Sequence, residues 1–391
     1  MLDGSFRQND RLLTIYNQHL VPSSECCLAM PLELLEVACF RIPLPRVLSD
    51  STHGFMPDFQ LITVRIRDQD GVEGLGYVYT IGSGGLAIRS LIDVDLRPLV
   101  EAADAHDIAA IWQQMWRRLH YVGRGGLASF AISAIDICLW DLRARRAGLP
   151  LWRQLGGTDN RVPVYAGGID LRFTVDELLE QTDRFRMQGF QAIKIKVGQA
   201  DLNDDVQRVA AMREKLGAEF PLMVDANMGW DVEQAITAAR ALHEFNLYWL
   251  EEPTAPDDFP AHARIATEGG IPIAAGENLH TEREFEMLLA AGGASFPEPD
   301  VANIGGITAW NRIAALAQRY DLPVTSHGVH DLHVHLLAAA SNSSYLEWHG
   351  FGLERFMTQP LEIRDGFALA PDRPGHGVEL DWDSLKPYRE S

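Results

Sequence analysis

Between residues 161 and 348 the chain repeats one unit, a short apolar run followed by a stretch with helical spacing, roughly every 25 residues. The apolar runs fall at 161–167, 191–197, 222–226, 247–252, 271–276, 296–300, 323–327 and 344–348. The stretches between them, such as 174–189, 203–216, 231–244 and 307–319, carry helical patterning. Strands this short pair in parallel only if a crossover of helical length returns the chain to the same end of the sheet. Eight in succession predict an α/β fold, a parallel barrel of the TIM type over 158–360. Such a barrel places its active site at the carboxyl ends of its strands.

The flanking segments read differently. Residues 1–31 have no clear period and predict an N-terminal extension. From Glu33 to Arg41 and from Gln60 to Arg67 apolar and polar residues alternate. The second run meets Asp70-Gly71 and then Glu73-Gly74-Leu75-Gly76-Tyr77, the pattern of a hairpin. Further on, Ile132, Ile135 and Leu139 share one helical face, and the pattern stops at Gly148-Leu149-Pro150. Residues 32–157 therefore predict a domain of sheet followed by helices. The tail, 361–391, carries Gly366, Pro371, Pro374, Gly375 and Gly377, matches neither helix nor barrel strand, and is expected to return to the first domain.

Charge narrows the function. Against 34 basic side chains stand 54 acidic ones, a net charge of −20, which argues against nucleic-acid and anionic-membrane partners. Four cysteines (Cys26, Cys27, Cys39, Cys138) are too few and too unevenly placed for a disulfide framework or a paired zinc site. The N-terminus, with Asp3, Arg7, Asp10 and Arg11, lacks the order of a secretory signal, and no run reaches the roughly 18 apolar residues of a spanning helix. A soluble cytoplasmic protein is expected.

The chemistry sits at the strand ends. Asp225, Glu251 and Glu277 each close an apolar run, and each is 26 residues from the next. One strand-helix unit per step sets all three at the same height on neighbouring strands. Singly, each reads as a helix cap; together their mutual repulsion calls for a cation between them. Three oxygen ligands with open positions suit Mg²⁺. Lys194 and Lys196 alternate with Ile193 and Ile195, so both lysines share one face of the second strand. Two ammonium groups about 7 Å apart are expected to depress each other's pKa, which turns a lysine into a base. Asp300 and His327, at the ends of the sixth and seventh runs, form a carboxylate–imidazole pair suited to a second base opposite the lysine. Glu347, at the end of the eighth, can donate a hydrogen bond to a developing anion if kept protonated. His330, His333, His335 and His349 read as structural.

These residues resemble a known family. Lys194-x-Lys196, Asp225-x-Asn227, Glu251-Glu252-Pro253, Gly276-Glu277-Asn278, Asp300, His327 and Glu347 look like the enolase superfamily, specifically its mandelate racemase subgroup. The likeness runs from residue 32 to 385 and includes Ala134-x-Asp136, Trp140-Asp141 and Leu155-Gly156-Gly157. It implies a (β/α)7β barrel closed by an N-terminal α+β capping domain, and a homo-oligomer, an octamer. It also implies Mg²⁺ on Asp225, Glu251 and Glu277, Lys196 as one base with Lys194 as its charged neighbour, and the His327–Asp300 pair as the other. The shared step is abstraction of the proton α to a carboxylate, giving an enediolate. Reprotonation from the opposite face then racemises; loss of a β-hydroxyl dehydrates.

The resemblance also bears on the substrate. In this subgroup the loop between the first two strands lines the pocket. Here Pro43–Pro57 carries Arg46, Ser49, Asp50, Ser51, Thr52 and His53, which suits a hydroxyl-rich substrate. The Arg124-Gly125-Gly126, Lys194–Gly198 and Phe220–Asn227 stretches are most similar to acid-sugar dehydratases of the galactarate/L-talarate type. The expectation is thus a Mg²⁺-dependent acid-sugar dehydratase, with Asn227, Arg46 and His53 as substrate contacts and a distal carboxylate held by the loop. A racemase or epimerase of a small hydroxy or amino acid, and a non-catalytic metal-binding barrel, are the alternatives.

Overall fold

Period-two alternation builds the first sheet of the computed structural model, which describes residues 30–391. Cys26, Cys27 and nearly all of the expected extension lie outside the described residues. Strands β1 (Leu32–Asp50), β2 (Gly54–Asp68) and β3 (Glu73–Thr80) pair antiparallel in that order. In the β2–β3 turn Asp68 accepts from the amides of Asp70 and Val72, both at 2.9 Å. Helix Leu127–Arg146 packs on this sheet. It comes so close that a Cβ on Gly76 would stand 2.0 Å from the Ala134 carbonyl oxygen, and one on Gly74 2.4 Å from that of Cys138. The Gly74-Leu75-Gly76 run thus serves helix packing as well as the hairpin.

The barrel follows the expected order. Strands β4 (Arg161–Gly167), β5 (Ile193–Lys196), β6 (Leu222–Asp225), β7 (Leu250–Glu251), β8 (Ile273–Ala275) and β9 (Phe296–Pro297) pair in parallel with their neighbours in sequence. Strand β10 (Leu346–Trp348) pairs in parallel with β4, closing the circle. The expected strand 323–327 is reduced to one bridge, Val324 to Ser343. Pro323 brings no amide to a ladder, and Gly328, at φ 59°, turns the chain over the rim. The helices begin where side chains satisfy free amides: Val175–Met187 at the Thr174/Glu177 capping box, Val232–Leu242 at that of Asp231 and Gln234.

The tail departs in part from expectation. Strands β11 (Glu362–Arg364) and β12 (Phe367–Leu369) form a hairpin that pairs with β4 through Phe367 and Pro163, so this stretch extends the barrel sheet. It uses the amino-terminal half of β4, which β10 leaves free. Only further on does the chain meet the first domain: Gly375 bridges to Pro150, and the Glu390 amide donates to the Cys39 carbonyl at 2.8 Å. Buried His333 and His335 are occupied by backbone, His333 between the Val301 amide and the Gly328 carbonyl, His335 between the Trp152 amide and the His376 carbonyl. Among the described residues no helix is long and apolar enough to cross a membrane.

Gly76→Ala should destabilise the chain by about 1–3 kcal/mol, because its methyl meets backbone that cannot yield without moving the helix. Urea unfolding measures this; an unchanged midpoint would show that the helix does not need this close approach.

Candidate active site

Two strand ends and one loop bring the acids together. Asp225 and Glu251 are register partners at the ends of β6 and β7, and Glu277 lies two residues past β8. All three are buried, and one carboxylate oxygen of each lies within 4.8 Å of the other two. Lys194 Nζ stands 2.5 Å from Glu251 Oε1, 2.7 Å from Glu347 Oε1 and 3.8 Å from Asp225 Oδ2. Lys196 pairs with Asp225. Across the cluster, His327 Nδ1 lies 3.0 Å from Asp300 Oδ2, and its Nε2 faces Glu277 Oε2 at 2.9 Å. The spacing of 26 residues, the alternating lysines and the Asp300–His327 pair thus converge on one cleft of ≈ 450 Å³, which Lys196, Asn227, Glu277, Asp300, His327 and Glu347 line.

Hairpin β1–β2 covers the cleft. Ser51 Oγ donates to the Ala226 carbonyl at 2.6 Å and Thr52 Oγ1 to that of Asn227. Asp50 accepts from the amides of Thr52 and His53 and holds the His53 imidazole at 2.8 Å, so His53 faces the cleft. Arg46 does not. Its guanidinium lies over the Phe173 ring and bonds Glu177 Oε1 at 3.1 Å in an exposed pair, outside the cleft lining. From the capping domain the cleft receives instead Met56, Ile81, Leu127 and Phe130, with Phe351 from the barrel.

The electrostatics differ from expectation at two places. The lysines end above their ordinary range: burial pulls both pKa values down and Lys194 also lowers Lys196, but Glu251 and Glu347 carry Lys194 well above its ordinary range and Asp225 raises Lys196. The carboxylates outweigh burial and the neighbouring ammonium, so without a metal both lysines are held toward the ammonium form. Glu347 is held toward its carboxylate form rather than the expected acid. Burial favours its acid form, but Lys194, His349 and His327 outweigh burial and hold it well below the usual carboxylate range. For His327, burial lowers the pKa, while Glu277 and the Asp300 bond raise it well above 6.5.

The donor set fits Mg²⁺. Three hard oxygens converge, Glu277 Oε2 lacks an aligned hydrogen bond, and the buried Asn227 Oδ1 has no partner. Beneath them Asp170, just past β4, accepts from the Lys196 amide at 3.0 Å and from the buried Arg208 at 3.1 Å, fixing the strand that carries the lysines. Sequence reading passed over Asp170, which has no partner at a telling spacing. His349, read from the sequence as structural, lines the cleft; lying two residues after Glu347, it shares that residue's strand face, and this was the available signal.

Mg²⁺ at about a hundred times its Kd should stabilise the chain by about 2.7 kcal/mol, and Glu251→Gln should erase the gain while leaving the circular dichroism unchanged. Thermal unfolding with and without chelator measures both. A midpoint indifferent to Mg²⁺ would remove the triad as a metal site.

The family described as mandelate racemase / muconate lactonizing enzyme, N-terminal domain, matches residues 37–156, and that described as enolase C-terminal domain-like matches 177–384. The chain is 57% identical over 354 residues to a 3,6-anhydro-alpha-L-galactonate cycloisomerase of Streptomyces coelicolor, covering 90% of this chain and 98% of that one. It is 37% identical to the L-talarate/galactarate dehydratase of Salmonella typhimurium, covering 89% of each. A crystal structure of a racemase from Streptomyces coelicolor A3(2) with bound magnesium superposes with a TM-score of 0.89 at 55% identity, covering 93% of this chain and all of that one. With its acidic triad, its lysine pair and both domain matches, the chain belongs to the enolase superfamily, in the mandelate racemase subgroup.

Proposed function

We propose that the chain opens a 3,6-anhydro sugar monocarboxylate by Mg²⁺-dependent β-elimination, yielding a 2-keto-3-deoxy acid of unchanged composition. One observation carries the choice of a monoacid: among the described residues no arginine lines the cleft, and the capping domain presents it with Met56, Ile81, Leu127 and Phe130. A diacid would set its second carboxylate against this wall, where the available cations are imidazoles, His53 already paired with Asp50. A compact ether ring suits the wall better. The Streptomyces cycloisomerase, named for such a substrate, supports the reading.

The chain's own groups divide the work. Lys196 and His327 approach the cleft from opposite sides of the carboxylates, so one removes the proton from C2 and the other acts from the far face. Lys194, held as ammonium by Glu251 and Glu347, faces the charge of the enediolate. Bound Mg²⁺ supplies further positive charge to the substrate carboxylate. As the C2–C3 double bond forms, the C3–O bond breaks and the ring oxygen takes a proton from the His327 imidazolium, oriented by Asp300. It stays attached through C6 as a primary alcohol; the enol takes a proton at C3 and becomes the 2-keto acid. Nothing leaves, so the net reaction is an isomerisation. Asn227 Oδ1 and His53 are placed to bind substrate hydroxyls.

Dehydration is the second reading. The same bases acting on a free β-hydroxyl would expel water, and the polar contributions of Thr80, Ser83 and Asn278 to the cleft, with the likeness to the Salmonella dehydratase, favour it. Mass spectrometry separates the two: 3,6-anhydro-L-galactonate should give a 2-keto acid of its own mass, while galactarate and L-talarate should give little product. Rapid conversion of the diacids to products one water lighter would reverse the order, and an inverted substrate without keto acid would indicate racemisation.

Lys196→Ala and His327→Asn should each lower turnover by about 10²–10⁴-fold. One of them should still exchange the substrate C2 proton with solvent deuterium from its intact side, visible by NMR. Near-normal turnover in both would remove the two residues as bases.

A further inference from the structure

Beside the acidic triad lies a second group of donors with a different chemistry. His327, Glu347 and His349 each place one ligand atom within 4.8 Å of the other two. We propose that these three residues form a second cation site, selective for a borderline-soft metal such as Zn²⁺, and that filling it stops the reaction. Two imidazoles and one carboxylate suit zinc, whereas three carboxylates suit magnesium, so the cleft holds two adjacent donor sets of unlike hardness.

Each donor is already oriented. Asp300 holds His327 Nδ1 at 3.0 Å, which leaves Nε2 as the coordinating atom, the arrangement that outer carboxylates impose on metal-binding histidines. Glu347 gives Oε1 to Lys194 at 2.7 Å and accepts the Gly328 amide on Oε2 at 2.9 Å, so Oε2 keeps a lone pair for a metal. His349 Nε2 lies 3.9 Å from that oxygen. The residue is 5% exposed, and its Nδ1 is buried with no hydrogen-bond partner. Its ring packs on Phe351 at 4.7 Å between centroids and on His327 at 5.7 Å. An aromatic hydrocarbon ring would supply that packing; an imidazole adds the Nε2 lone pair beside Glu347 Oε2 that a metal ligand requires. Coordination at His327 Nε2 removes that nitrogen from proton transfer whatever the triad holds. This blocking, unlike the binding, rests on His327 acting as a base.

The test uses the Mg²⁺-saturated enzyme and its His349→Asn variant, titrated with Zn²⁺ by calorimetry and followed by turnover relative to each protein's own Mg²⁺ activity. The wild type should bind one Zn²⁺ per chain that further Mg²⁺ does not displace, with inhibition in step. His349→Asn should bind it at least about tenfold more weakly and need correspondingly more Zn²⁺ for half-inhibition. Inhibition that added Mg²⁺ relieves in proportion would place zinc on the triad and overturn the second site, as would equal Zn²⁺ affinity in the variant. Zinc bound in the wild type, weakened in the variant and without effect on turnover would uphold the site and instead remove His327 from the reaction.

Discussion

Five carboxylates, Asp225, Glu251, Glu277, Asp300 and Glu347, are withdrawn from water at one end of the barrel, and the residues around them are arranged to answer that charge. Taking a carboxylate out of water costs several kcal/mol unless a cation or hydrogen bonds compensate. Lys194 compensates two at once, Lys196 one, and His327 lies between two more. Even so the acids outnumber the bases. Glu252, buried next to the triad, is pushed up to about 8, by burial first and by Glu277 second, toward its neutral form. The remaining imbalance is what a divalent cation satisfies, and the same excess of negative charge holds both lysines toward the ammonium form until it arrives.

The barrel and the capping domain divide the problem. The acidic triad, the lysine pair and the Asp300–His327 pair sit at or just beyond the ends of short barrel strands, β7 and β9 being only two residues long. Their positions depend on backbone pairing and on groups such as Asp170 and Arg208 behind β5. The capping domain closes the mouth with the hairpin β1–β2, pinned by Ser51 and Thr52 to the carbonyls after β6, and lines the cleft with Met56, Ile81, Leu127 and Phe130 beside Tyr79, Thr80 and Ser83. The buried triad and the cations that answer it thus come from the barrel, and much of the cleft's apolar lining from the capping domain.

Expulsion of a ring oxygen and expulsion of water are the same event at C3, distinguished by whether the departing oxygen remains tethered. A site that removes the α-proton and protonates a β-oxygen serves both. What separates them is the space beyond C3: a tethered oxygen folds the carbon chain into a compact ring that tolerates apolar contact, whereas an open diacid extends a second charge that requires a cation.

Regular spacing made the barrel and its metal triad legible. Identical strand-helix lengths keep Asp225, Glu251 and Glu277 at one height, and period-two alternation puts Lys194 and Lys196 on one face; both are properties of the backbone that any reader of the chain can count. Neither the sign of the lysine shifts nor the charge on Glu347 could be counted in this way, because each depends on which opposite charges lie within about 4 Å once strands far apart in sequence are neighbours. Arg46 and His53 show the same division. Both lie in one capping loop with equal claim to the substrate, yet the twist of the hairpin turns His53 inward against Asp50 and Arg46 outward onto Phe173 and Glu177. Local pattern thus determined the architecture and the kind of chemistry, since both follow from period and spacing. Ionisation and substrate contacts were decided only by tertiary structure, since Coulomb and hydrogen-bond energies depend on distances across the fold.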